Sequence, residues 1–298
     1  MIVQVTQLRD ELPLIKSLLP IWKKYADGFV FRCHDTSDGT IEFLESVKDQ
    51  YNILEIMDVI TDKTKLLVET DGRQELFNTA HKFTKSIICL DADEYLDGTM
   101  SKLELEAHLN DNQDTTFLLQ WIQYTGRNTI RVDGPWRVNF KDRIGEYTSW
   151  RKFNYAQRHS SHLPLQSKIL GFKPEKLFVS HVPWLDKLHS AIKQYYWKIT
   201  DYVTKLEHKV GTYAVEEYDK SVNNFNWEEE QFYFPLKISP KIFDEYSLAH
   251  SYKLCEISSL VNKYSIPYLG DWGYGIHNNH VYLTALQNEI QKLSRKPS

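Results

Sequence analysis

The first third of the chain alternates short apolar runs with longer stretches in which apolar residues recur at helical spacing. Continuous apolar runs predict buried strands, and apolar residues at positions i, i+3, i+4 and i+7 predict amphipathic helices. Strand and helix in alternation predict parallel strands joined by right-handed crossovers. The predicted strands are 2–6, 29–31, 53–57 and 86–90, and the predicted helices are 12–22, 41–47 and 75–83.

A group of acids follows the fourth predicted strand directly. The apolar run 87–90 is followed by Asp91, Asp93 and Glu94. In an open parallel sheet the carboxyl ends of the strands form the edge where ligands bind. Carboxylates this close together repel unless a cation neutralises them, and oxygen ligands suit Mg²⁺ or Mn²⁺. The pattern therefore predicts a site for a metal and a phosphate group. The alternative is a solvated acidic loop or a helix start.

The loop after the second predicted strand, residues 34–40, is also polar. Its Asp, Ser and Gly residues suit a tight turn, and Ser37 or Asp38 is a candidate cap of the next helix. A carboxylate at this edge is equally suited to accept a hydrogen bond from a base N–H or a ribose hydroxyl. The residues alone leave both interpretations open.

Composition restricts the class of protein. The 298 residues are 42% hydrophobic, which is enough for one large core or for one core with an appended lobe. A net charge of -4 argues against nucleic-acid binding by bulk electrostatics. Three widely spaced cysteines indicate reduced thiols. No signal peptide and no stretch approaching the roughly 18 apolar residues of a membrane span is visible, which predicts a cytoplasmic protein.

The segments 35–40 and 90–96, each after its strand and at this separation, resemble those of nucleotide-sugar-dependent glycosyltransferases of the GT-A fold, specifically family 2. Residues 7–11 resemble the first loop of that family, and the resemblance covers about residues 1–100. It implies an α/β, Rossmann-like fold with a mostly parallel sheet flanked by helices. We expect a catalytic domain over 1–190 and a mainly helical C-terminal region over 191–298 that packs on it. The C-terminal region is also the candidate contact surface of a homodimer.

The resemblance also implies a metal centre. Asp91-Ala92-Asp93 matches the Asp-x-Asp motif of the family, whose last acid binds a divalent metal and whose first acid contacts the ribose or the sugar. His181 follows a second apolar run and matches the late histidine that many GT-A enzymes supply as a metal ligand. From the residues alone, such a histidine is more often an ordinary polar residue. An imidazole ligand favours Mn²⁺ over Mg²⁺.

Further residues are implied as contacts of the nucleoside-diphosphate sugar, with a UDP-sugar as the expected donor. Lys193 lies in a run that resembles one subgroup of these enzymes, where it would place a positive charge against the leaving diphosphate. Its alternative is a solvated lysine on an amphipathic helix. The expected donor-binding residues are Gln7, Arg9, Asp35, Asp38, Arg73, Asp91 and Lys193.

The implied activity is transfer of a sugar, with inversion, to a hydroxyl group of a glycan or glycoconjugate acceptor. Such a reaction needs a general base, usually an Asp or Glu carboxylate, that takes the proton from the acceptor hydroxyl. Asp133, Asp142 and Glu146 fall in the expected interval, and Glu146 and Asp133 are the first candidates. The alternatives are a nucleotide-sugar-binding or glycan-binding protein without transfer activity, a metal-dependent phosphatase and a nucleotidyltransferase. The last normally has a glycine-rich phosphate loop, whereas residues 7–10 contain no glycine.

Overall fold

The computed structural model describes residues 1–61, 69–132, 139–154, 161–164, 166, 168–185, 230–231 and 235–239. It also describes the single positions 193, 196, 200, 203, 242, 253, 256, 259, 260 and 263. Asp133 and most of the predicted C-terminal region lie outside this set. The division of the chain near residue 190 therefore stays a prediction.

The described elements follow the predicted alternation. The strands are β1 Ile2–Leu8, β2 Gly28–His34, β3 Ile53–Val59, β4 Ser86–Cys89, β5 Glu94–Asp97, β6 Thr115–Gln123, β7 Thr129–Ile130, β8 Phe140–Glu146, β9 Lys168–Gly171, β10 Phe178–His181 and β11 Glu230–Gln231. The helices are α1 Leu12–Trp22, α2 Thr40–Ser46, α3 Lys48–Tyr51, α4 Glu69–Ala80 and α5 Lys102–Asp111. The helix predicted over 75–83 thus begins six residues earlier and ends three earlier. Its first turns carry charged residues, so no apolar spacing marks them.

Strand order confirms the predicted fold class. The main sheet has the order β3-β2-β1-β4-β8-β6-β10-β5, and β9 pairs with β6. β1 is parallel to β2 and β4, and β2 is parallel to β3. β8 is antiparallel to both β4 and β6, β10 is parallel to β6, and β5 is antiparallel to β10. The result is a mostly parallel α/β sheet of the GT-A type. The carboxyl ends of β1, β2, β4, β6 and β10 lie along one edge.

Helices cover both faces of this sheet. Successive side chains of β1 point to opposite faces, as the strand period of two requires. Val3 and Val5 belong to the same buried cluster as Leu76 and Phe77 of α4. Ile2 and Leu8 belong to the larger cluster that includes the apolar face of α1. Burial on both faces explains why the strands are apolar runs rather than alternating ones.

Cys33 and Cys89 are buried free thiols, as predicted, and Cys255 lies outside the described residues. Among the helices that are described, none has the length and the apolar character needed to cross a lipid bilayer.

Candidate active site

The acidic segment after β4 lies at the carboxyl edge of the sheet. β4 ends at Cys89 and β5 begins at Glu94, so Asp91 and Asp93 occupy the short connection between them. β5 pairs with β10 in a register that sets Glu94 opposite His181, and the backbone N–H of Val182 donates to the carbonyl of Asp93 at 3.1 Å. This pairing brings the end of β10 beside the acidic connection.

Asp93 lies between two basic side chains. Its Oδ2 forms an ion pair with the Lys193 ammonium and lies 3.5 Å from His181 Nε2. Burial raises the pKa of Asp93, but Lys193 and then His181 outweigh that effect and hold the pKa below its usual value. Asp93 is therefore a buried, ionised carboxylate.

His181 is oriented by its neighbours. Its Nδ1 is hydrogen-bonded to Oε1 of Gln123, which lies opposite His181 in the β6-β10 pair. The Trp121 ring packs on the imidazole with 4.3 Å between centroids. Because an amide oxygen only accepts hydrogen bonds, Nδ1 donates to Gln123, and this bond turns Nε2 toward Asp93. Hydrogen bonds of this kind orient the rings of metal-binding histidines.

Asp91 is held by two other basic groups. His162 Nε2 lies 2.9 Å from Oδ2, and Arg73 Nη2 lies 3.4 Å from Oδ1. Burial raises the pKa of Asp91, and His162 and Arg73 lower it to well below its usual value. The side chain is still 42% exposed, so a ligand can reach it.

Arg73 and His162 are themselves buried. Arg73 also contacts Glu69 at 2.6 Å, and burial, which lowers its pKa, is outweighed by Glu69 and Asp91, which raise it. Burial, with Arg143 and Arg73, lowers the pKa of His162. Sequence reasoning gave His162 no role. Only the tertiary structure, in which Leu163 N donates to Asp142 Oδ2 at 3.0 Å, brings it to this edge.

Glu94 has a structural position. Arg143 Nε and Nη2 donate to its two oxygens at 2.8 and 2.7 Å, and Trp121 Nε1 donates at 2.6 Å. The Glu94 side chain also accepts the Asp91 backbone N–H at 3.0 Å. In the described part of the chain, one group of three potential metal ligands has its ligand atoms within 4.8 Å, namely Asp91, Glu94 and His162. The Arg143 and Trp121 bonds leave Glu94 poorly suited to bind an ion.

The acids of the loop 34–40, which follows β2, form hydrogen bonds with neighbouring segments of the chain. Asp38 accepts the backbone N–H groups of Leu12 and Thr40, the first residues of α1 and α2, at 2.9 and 3.0 Å. Asp38 thus accepts hydrogen bonds from the first residues of both helices, although the N-cap residue of α2 is Gly39 and not Ser37 or Asp38. Asp35 accepts the backbone N–H and the hydroxyl of Thr61, the former at 3.1 Å.

Gln7 and Arg9, at the end of β1, point to different neighbours. Gln7 Nε2 donates to the Glu69 carbonyl at 3.4 Å, at the start of α4. Arg9 forms an ion pair with Glu256, which also accepts the Tyr196 hydroxyl at 2.8 Å. Arg9 is therefore contacted by a residue from the C-terminal part of the chain.

The structure does not bring Glu146 to this site. Glu146 pairs with Ser86 at the start of β4 and accepts its hydroxyl. Ser86 and Asp91 are five residues apart along the chain, which at strand spacing corresponds to about 16 Å. Glu146 therefore lies toward the opposite edge of the sheet, because β8 runs antiparallel to β4. Asp142, four residues earlier on β8, lies nearer the acidic connection.

Comparison with known proteins gives little further constraint. No family model matches the chain, and no curated protein matches it. HddC from Yersinia pseudotuberculosis matches with a TM-score of 0.34 and 12% identity, over 60% of this chain and 92% of that one. Mannosyltransferase PcManGT from Pyrobaculum calidifontis, in complex with GDP-Man and Mn²⁺, matches with a TM-score of 0.39 and 12% identity, over 97% of this chain and 83% of that one. A putative glucose-1-phosphate thymidylyltransferase from Bacillus anthracis, in complex with a sucrose, matches with a TM-score of 0.35 and 7% identity, over 84% of this chain and 95% of that one. Likeness of this degree carries no conclusion about activity.

Proposed function

We propose that this protein is a metal-dependent glycosyltransferase that moves a sugar from a nucleoside-diphosphate donor to a hydroxyl of a glycan or other acceptor, with inversion. The observation that carries the proposal is the meeting of Asp93 and His181 at the carboxyl edge of the sheet. Their facing atoms, Oδ2 and Nε2, are 3.5 Å apart although they come from two different strand ends.

This pair of side chains fits a divalent cation. Two ligand atoms 3.5 Å apart can both contact one ion at about 2.1 Å. A carboxylate together with an imidazole favours Mn²⁺ over Mg²⁺. Bound there, such a cation would stabilise the negative charge that grows on the diphosphate as the sugar leaves.

The residues around Asp93 supply the other requirements of a donor site. Lys193, which contacts Asp93, and Arg9, which contacts Glu256, supply positive charge that could bind a diphosphate. Asp91 has an exposed carboxylate, oriented by Arg73 and His162, that can accept a hydrogen bond from a ribose or sugar hydroxyl. Asp133 stays the sequence candidate for the general base.

Calorimetry with a panel of nucleotide sugars, beginning with UDP-sugars, tests the proposal when it is run with and without Mn²⁺. We expect one donor to bind only with the metal, and slow hydrolysis of that donor to accompany binding. Asp93→Asn should remove both. Asp111→Asn, the same change at an exposed acid at the end of α5, should remove neither.

Other outcomes favour the alternatives. Metal-free binding of glycans without nucleotide-sugar binding supports a carbohydrate-binding protein. Pyrophosphate released from a nucleoside triphosphate and a sugar 1-phosphate supports a nucleotidyltransferase. An Asp93→Asn protein that binds donor and Mn²⁺ like the wild type contradicts the proposed site.

A further inference from the structure

Asp91, Asp93 and Glu94 each contact a cation of the chain without any bound ion. Two of these three ion pairs are fixed in place. Arg143 is 1% exposed and holds Glu94 with two hydrogen bonds, and Arg73, which contacts Asp91, is 5% exposed and is also held by Glu69. The third pair joins Lys193 to Asp93.

Lys193 differs from the two arginines in ways that allow it to leave. Its side chain is 19% exposed, and its ammonium contacts the Oδ2 atom of Asp93 rather than both oxygens. Lysine is a point charge on a flexible stem, whereas arginine binds carboxylates as a rigid fork. Lys193 also lies 100 residues beyond Asp93, in a different part of the chain from β4 and β5.

The position of the ammonium is also the position suited to a metal. Oδ2 of Asp93 and Nε2 of His181 face each other at 3.5 Å, so one divalent cation could contact both atoms. In this structure Oδ2 is paired with the Lys193 ammonium instead. A divalent cation at the same oxygen would repel it strongly.

Other cations lie close to Lys193 and could form a diphosphate site together with it. Lys253 is 6% exposed and lies in the same electrostatic environment as Lys193, Arg9, Glu11 and Asp93. Burial, together with the positive charges of Lys193 and Arg9, lowers the pKa of Lys253 to about 8 although Glu11 and Asp93 oppose this. A cluster of three cations beside one edge of the sheet suits a diphosphate.

We propose that Lys193 is an exchangeable counter-ion of Asp93, which neutralises this carboxylate while the donor is absent and contacts the diphosphate when donor and metal bind. The proposal rests on the proposed function, because it takes Asp93 as a metal ligand. Its consequence is a coupling between the two ligands. Mn²⁺ alone must compete with Lys193, so it binds weakly, whereas a nucleoside diphosphate draws Lys193 away and strengthens Mn²⁺ binding, and the reverse holds equally.

Mn²⁺ binding to the full chain, measured from the electron paramagnetic resonance signal of free Mn²⁺ with and without UDP, tests this. Lys193→Gln should bind Mn²⁺ about tenfold or more tightly than the wild type when UDP is absent, and the gain that UDP produces should shrink. Lys193→Arg, which keeps the charge, should stay near the wild type. Lys173→Gln, at an exposed lysine, is the matched control.

Unchanged or weaker Mn²⁺ binding by a folded Lys193→Gln protein without UDP would overturn the inference. So would a gain that persists when Asp93→Asn is added, because Lys193 would then act elsewhere. Failure of the proposed function looks different: the single Asp93→Asn variant would bind Mn²⁺ as well as the wild type.

Discussion

Replacement of Arg143 by methionine should destabilise the protein severely. Arg143 donates to both oxygens of Glu94 at 2.8 and 2.7 Å, and the two side chains are 1% and 0% exposed. Methionine keeps much of the apolar stem of arginine, so the main loss is the charge partner of a buried carboxylate. The variant therefore isolates the electrostatic role of the pair.

The size of the effect follows from what remains around Glu94. Removing one partner of a buried ion pair costs about 3–5 kcal/mol of unfolding free energy. Glu94 still accepts hydrogen bonds from Trp121 Nε1 and the Asp91 backbone, at 2.6 and 3.0 Å. These bonds place the expected loss at the lower end, about 3 kcal/mol at pH 7.

The loss should also depend on pH. Burial raises the pKa of Glu94, and Arg143 outweighs it and lowers the pKa below the ordinary 4.5. A lowered carboxyl pKa contributes stability that is complete above the unfolded value and is lost as the pH falls through the folded value. Below pH 4.5, wild type and variant should therefore converge in stability.

Urea unfolding followed by tryptophan fluorescence measures both effects. Arg143→Met with Glu94→Gln should cost less than the sum of the single changes, because neither charge is then left alone. Arg127→Met, at an exposed arginine, is the control and should be nearly neutral. A loss under about 1 kcal/mol for Arg143→Met, or strict additivity in the double variant, would refute this account of Glu94.

Two further predictions concern the elements that support the site. Burial, with Arg32 next, lowers the pKa of His34 from 6.5 to about 4, so the unfolded chain takes up a proton first as the pH falls. The unfolding free energy of the wild type should decrease as the pH falls from 6.5 to 4, and that of the His34→Gln variant should decrease less. Parallel plots of unfolding free energy against pH would show that His34 is not the group responsible. Gly98 has φ +135°, and a Cβ there would lie 2.8 Å from the carbonyl carbon of Lys176. Gly98→Ala should therefore lower the unfolding free energy by about 1–3 kcal/mol in the same urea assay, and an unchanged midpoint would show that the loop relaxes without cost.

The local pattern of apolar and polar residues determined the strands and helices, and it placed the acids after the strand ends. Strand and helix periods depend on neighbouring residues, so the apolar runs before Asp38 and Asp91 predict strands that end at one edge of the sheet. The start of α4 was missed for the same reason, because its first turns are charged and pack through ion pairs such as Arg73 with Glu69. Resemblance added Asp93 and His181 as a pair, and the β5-β10 register brings the two side chains together.

Only the tertiary structure decided what each side chain of the acidic connection contacts. Glu94 meets Arg143 across 49 residues, Asp91 meets His162 across 71, and Asp93 meets Lys193 across 100. These separations exceed any local period, and the partners meet because strands pair in a register that the whole sheet sets. The same register carries Glu146 away from the site, since β8 returns antiparallel between β4 and β6. The local sequence therefore specifies where charge collects, and the paired strands specify which charges neutralise each other.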